Sequence, residues 1–148
     1  MTIPESGQYL PNVEFTTEDG ERVSAGDLTG EKTVLYFYPK DDTPGCTKEA
    51  CAFRDRMQDY GDAGIQVYGV SLDSPESHRS FREKYDLNFP LLTDEGGRAA
   101  EALGILGDRG VANRVTFLLA PDGAISKTYP EVTPDTHADE ILKDAASL

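Results

Sequence analysis

Apolar residues run almost without interruption at 33–38, TVLYFY, at 65–72, IQVYGVSL, and at 115–120, VTFLLA. Short continuous runs of this kind are the pattern of strands buried on both faces. Between them the apolar positions spread to a helical period, and three such stretches open on a hydroxyl residue followed by proline: Thr43-Pro44, Ser74-Pro75 and Thr133-Pro134. An N-cap hydroxyl followed by proline at the first helical position is a helix start. Helices are therefore predicted over 44–61, 75–86 and 134–146, with a shorter one over 97–104 ended by Gly104. The turn APDG (120–123) joins VTFLLA to AISKTY as a hairpin-like pair, and TEDGER (17–22) is the turn of a small N-terminal hairpin. This order of elements predicts an α/β fold in which helices flank a mixed central sheet. No repeat, low-complexity segment or linker interrupts the pattern, so one domain spanning 1–148 is expected.

Composition narrows the function classes. An apolar content of 38% and a mean hydropathy of −0.48 fit a soluble chain, and no run approaches the ~18 apolar residues of a membrane span. The start, MTIPESGQYLPN, lacks the basic and apolar stretches of a secretory signal, so a cytoplasmic location is expected. Against 14 basic residues stand 27 acidic ones, a net charge of −13. Such a chain has no basic patch to replace the counterions of phosphates, which argues against nucleic acid and anionic membranes as partners. The acidity itself has two readings, a plain soluble surface or adaptation to high salt.

The two cysteines, Cys46 and Cys51, both lie in YPKDDTPGCTKEAC (38–51), the loop and helix that follow the first apolar strand. In open α/β sheets ligands bind at such carboxyl ends of strands. With Thr43 as N-cap and Pro44 as first helical residue, Cys46 is the third helical position, where free N–H groups and the positive end of the helix dipole favour a thiolate. Cys46, Ala50, Phe53, Met57 and Tyr60 form one stripe facing the core, while Cys51 falls roughly 140° away, nearer solvent. Five residues apart on an intact helix, the two Cα atoms stand about 8.6 Å apart. A disulfide tolerates at most ~7 Å, so bonding them requires local unwinding. An inert core cysteine is the alternative for Cys46, and its helix-terminal position argues against it. A metal site would need further ligands, and His78 and His137 fall in charge-rich helix patterns expected to be solvated surface. A C-x-x-C motif is absent.

The segment FYPKDDTPGCTKEACAFRD (37–55) resembles the active-site segment of the peroxiredoxins, more narrowly the bacterioferritin comigratory protein or peroxiredoxin Q subfamily. The family pattern P-x-x-x-T-x-x-C matches Pro39, Thr43 and Cys46, and GVSLDSPESHRSFREKYDLNFPLLTD (69–94) and NRVTFLLAPDG (113–123) follow it as well. The resemblance implies a thioredoxin-like fold and a thiol peroxidase acting on hydrogen peroxide and organic hydroperoxides. Cys46 would be the peroxidatic thiolate, oxidised to a sulfenic acid, and Cys51 the resolving residue of a Cys46–Cys51 disulfide recycled by thioredoxin. Thr43 would offer its hydroxyl to the peroxide, Pro39 would shield the pocket, Arg114 would stabilise developing negative charge, and Glu49 would hold Arg114. The resemblance implies no cofactor and no metal, and it favours a monomer. The segment before Arg114, LGDRGVAN (106–113), is shorter than relatives often carry. A non-enzymatic redox sensor or holdase using the same oxidation is the competing reading.

Overall fold

The computed structural model describes residues 3–147. Its strands are β1 (Glu14–Thr16), β2 (Arg22–Ser24), β3 (Lys32–Phe37), β4 (Ile65–Ser71), β5 (Leu91–Thr93), β6 (Val115–Leu119) and β7 (Ile125–Tyr129). They form one open sheet in the order β2-β1-β5-β4-β3-β6-β7. β3 pairs in parallel with β4 and antiparallel with β6, and β4 pairs in parallel with β5, so the sheet is mixed as expected. The architecture is the α/β fold with a mixed sheet flanked by helices that the order of elements predicts.

β3 lies inside the sheet, between β4 and β6, because both its faces are apolar. Val34 and Tyr36, with Tyr38 just beyond the strand, join one core cluster, while Leu35 and Phe37 join the other. The first cluster packs beneath helices α1 (Pro44–Asp55), α2 (Met57–Asp62), α3 (Pro75–Tyr85) and α5 (His137–Ala145). The second packs against α4 (Arg98–Ala102). Phe53 of α1 is fully buried and stacks on Tyr36, centroids 4.7 Å apart and planes 16° apart, so helix and central strand share one aromatic contact.

Four expectations are corrected. The helix predicted over 44–61 is two: Arg56, at φ −108° and ψ 5°, breaks it, although the apolar stripe continues to the buried Tyr60. The last helix starts one turn later than its Thr-Pro pair, because the Thr133 carbonyl takes the amides of Thr136 and His137 in a turn first. β5 was not predicted, since three residues after Pro90 are too few to show a period. Finally, His78 and His137 are fully buried rather than solvated. Each ring finds a polar partner at both nitrogens, which offsets the cost of burial.

Candidate active site

α1 begins at Pro44, which places Cys46 in its first turn as the sequence indicates. Cys46 is buried, Cys51 half-buried, and both are free thiols. The Thr43 side chain does not cap the helix; its hydroxyl donates instead to the Lys40 carbonyl at 2.9 Å. The first amide to reach a carbonyl is that of Thr47, which bonds to Thr43. The N–H groups of the first turn are therefore left for whatever negative charge gathers at the sulfur. Pro39 is half-buried in the bend that follows β3, between strand and helix.

Arg114 reaches the site from the residue before β6. Its Nη2 donates to the Cys46 sulfur at 3.3 Å and its Nη1 to Glu49 Oε1 at 2.7 Å, so one guanidinium joins the two side chains. The segment before it is a tight turn rather than an open loop, with Leu106 bridged to Ala112 and the Gly107 amide on the Val111 carbonyl. A Cβ on Gly107 would lie 2.9 Å from Asn113 Oδ1 and 3.1 Å from the Val111 oxygen, closer than ordinary contact allows. Gly45 performs a similar service on the other side, since a Cβ there would stand 3.1 Å from Arg114 Nη2.

Glu49 is wholly enclosed, with Arg114 as its charged partner. Burial pushes its carboxyl up to about 7, against the opposing pull of the Arg114 charge. Among the described residues, Glu49 Oε2 and the Tyr36 hydroxyl are buried without a hydrogen-bond partner. Burial, and next the charge of Glu49, hold the Tyr36 hydroxyl well above the ordinary tyrosine range, so it stays protonated.

The loop between β3 and α1 is bolted to α3. Asp41 accepts from Tyr38 and Ser77 and meets His78 Nδ1 at 2.8 Å, while His78 Nε2 donates to the Leu92 carbonyl. The Asp41 amide donates to Asp73, and Asp42, at φ 56°, is held by Lys84 and Tyr85. Sequence reasoning missed Gly45, Asp41, Asp42 and His78. One signal was available: His78 precedes Phe81 by one turn, which puts it on the buried stripe of α3. The pairings of Asp41 and Asp42 with α3 span more than thirty positions and leave no local trace. Among the described residues no group of three or more His, Cys, Asp or Glu side chains could hold a metal ion.

The geometry agrees with what comparison finds. Residues 6–128 match the model of the AhpC/TSA family. A Coxiella burnetii protein named peroxiredoxin bcp is 44% identical over 146 residues, covering 93% of this chain and 96% of its own. Chloroplastic peroxiredoxin Q of Populus jackii is 41% identical over 145 residues, covering 96% and 68%. Among solved structures, peroxidoxin BcpB of Mycobacterium tuberculosis superposes with a TM-score of 0.89 at 30% identity, covering 97% of each chain. A bacterioferritin comigratory protein of Xanthomonas campestris, studied for its alkyl peroxide reduction activity, gives 0.87 at 30% identity, covering 96% and 98%. A buried helix-terminal thiol under an arginine, in this fold and with these relatives, means that the chain belongs to the AhpC/TSA family, among the peroxiredoxins of the bacterioferritin comigratory protein and peroxiredoxin Q type, which are thiol peroxidases.

Proposed function

We propose that this chain reduces hydrogen peroxide and organic hydroperoxides through Cys46, with Cys51 resolving the oxidised sulfur and thioredoxin recycling the disulfide. The observation that carries the reading is the Arg114 guanidinium donating to the Cys46 sulfur at 3.3 Å, at the uncapped start of α1. The sulfur attacks the terminal peroxide oxygen, and the O–O bond breaks. Arg114 and the free amides of the first turn face the oxygen on which negative charge develops. Thr43 contributes through its backbone and its hydroxyl, which is positioned by Lys40 and lies three residues before the thiol. Pro39 walls the pocket on the strand side, and Glu49 orients Arg114.

The product is a Cys46 sulfenic acid. Cys51 reaches it once the first turns of α1 unwind, and the disulfide is exposed to a dithiol reductant. The protein acts as a monomer in the cytoplasm; its charge of −13 adds self-repulsion between copies, and no described helix is long and apolar enough to cross a membrane. A coupled assay of peroxide consumption with thioredoxin and thioredoxin reductase tests the reading. Many turnovers per chain are expected, abolished by Cys46→Ser. A single stoichiometric oxidation would assign the chain to the sensor class instead.

A further inference from the structure

We propose that Glu49 is the general acid of the peroxide reaction, delivering its proton to the oxygen that departs when the sulfur attacks. The proposal rests on the reading of Cys46 as the peroxidatic thiol and assigns the carboxyl a chemical step beyond holding Arg114.

Two acidic side chains, Cys46 and Glu49, share one guanidinium, with Arg114 Nη2 on the sulfur at 3.3 Å and Nη1 on Oε1 at 2.7 Å. Glu49 is 0% exposed, and its second oxygen has no hydrogen-bond partner. A carboxylate there would place half its charge on an oxygen shut off from bulk solvent and without a protein hydrogen-bond partner. Were sulfur and carboxyl ionised together, two buried anions would compete for a single cation. One anion at a time matches the single positive charge, so while the sulfur carries it, Glu49 is the acid and its unpartnered Oε2 carries the proton. Burial pushes the carboxyl up to about 7, so at neutral pH a sizeable share of Glu49 holds a proton that it releases readily. The groups facing it are Arg114 from the approach to β6, Cys46 from its own helix and Tyr36 from β3.

Oxidation moves the anion. The sulfur's electron pair forms the S–O bond with the terminal oxygen of ROOH, and the O–O pair leaves on the alkoxide oxygen. The Glu49 proton passes to that oxygen. Cys46 thiolate, ROOH and Glu49 carboxylic acid thus become Cys46 sulfenic acid, ROH and Glu49 carboxylate. The site keeps one anion and one cation throughout, and the new carboxylate already holds the Arg114 bond at 2.7 Å. Reach is supplied by the helix: Cys46 and Glu49 are three residues apart on α1, so their Cβ atoms lie roughly 5–6 Å apart. A peroxide seated on the sulfur is then within one hydrogen bond or one bridging water of the carboxyl. Unwinding of α1 to form the disulfide opens Glu49 to solvent, and refolding around it draws a proton from water.

The test varies the leaving group. An alkoxide from tert-butyl hydroperoxide needs a proton, whereas the acetate from peracetic acid leaves stable as the anion. Glu49→Gln keeps an oxygen for Arg114 Nη1 and removes the acid. First-turnover oxidation of Cys46, followed by stopped flow, is expected to slow about 100-fold with tert-butyl hydroperoxide and by less than about threefold with peracetic acid. Equal losses with both oxidants, or no loss with either, would overturn the proposal and leave Glu49 as a positioning residue for Arg114. The unaltered chain gives a second readout, a larger solvent deuterium isotope effect with tert-butyl hydroperoxide than with peracetic acid; equal effects count against the proposal. Failure of both oxidants to react with Cys46 in the unaltered chain would sink the peroxidase reading itself.

Discussion

At the scale of single residues, the site is one guanidinium set between a sulfur and a buried carboxyl. Arg114→Ala is expected to slow the peroxide step by about 10²–10³-fold, the scale for losing one preorganised donor to developing charge. Arg114→Lys recovers little, because an ammonium cannot hold sulfur and carboxyl together as a planar fork does. A stopped-flow rate for the alanine variant equal to that of the parent would return Arg114 to a purely structural role. Gly45→Ala is a gentler probe: its Cβ, 3.1 Å from Arg114 Nη2, must displace the guanidinium by a few tenths of an ångström. A fall in peroxide rate with an unchanged melting temperature is the expected outcome. The sequence carried Cys46, Thr43, Pro39, Glu49 and Arg114 because each sits in or near a recognisable motif. It did not carry the direction of the Thr43 hydroxyl, which turns to the Lys40 carbonyl. A cap and a loop hydrogen bond are both open to a threonine at that position, and only the loop's path chooses between them.

At the scale of elements, α1 has unequal moorings. The loop before it is held to α3 through Asp41 and Asp42. Along its length it meets α5 and its approach, through Pro134 over Gly45 and His137 edge-on to Phe53, with Arg56 bonded to Asp139 just past its end. The proposed unwinding that would join Cys46 to Cys51 is therefore expected downstream of a fixed start. Amide hydrogen exchange across 47–55 should be faster in the oxidised protein than in the reduced one, while 39–42 changes little. Equal protection of 47–55 in both states would mean that a partner thiol, rather than Cys51, resolves the sulfur. Cys51→Ser should keep the first oxidation and then accumulate sulfinic acid under excess peroxide, read by mass spectrometry. The helix should also respond to pH through Glu49. Its carboxyl is raised from 4.5 to about 7 when enclosed, so the folded helix binds the proton more tightly than the unwound one. That stabilisation is fully present below about 4.5 and is lost as pH rises through about 7. Exchange in α1 of the reduced protein, corrected for intrinsic rates, should therefore quicken across this window, and Glu49→Gln should flatten the change.

At the scale of the whole molecule, the charge of −13 dominates. The ion pairs Arg22–Glu14, Arg56–Asp139 and Lys84–Asp42 are exposed on both sides and contribute little each. If the acidity reflects a high-salt habitat, the melting temperature should rise between low salt and molar potassium chloride. A melting temperature indifferent to salt would leave the acidic surface as a matter of solubility alone.

The sequence by itself determined the strand runs, the helix starts at Pro44 and Pro75, the hairpins and the thiol at a helix N-terminus, since periodicity, proline at the first helical position and glycine turns act within a few residues. It also determined the family, because a motif around Cys46 and two further segments between residues 69 and 123 follow one family pattern. Tertiary structure alone decided the break at Arg56, the strand Leu91–Thr93, the burial of His137, the partners of the buried His78, and the enclosure of Glu49. Each depends on partners far along the chain. β5 exists because β4 offers it a ladder, and His78 is tolerated inside because Asp41 and the Leu92 carbonyl meet its two nitrogens. Apart from the family resemblance, Glu49 reads in sequence as one helix-surface carboxylate among many. Only the arrival of Arg114, 65 positions later, turns it into a buried acid beside the thiol.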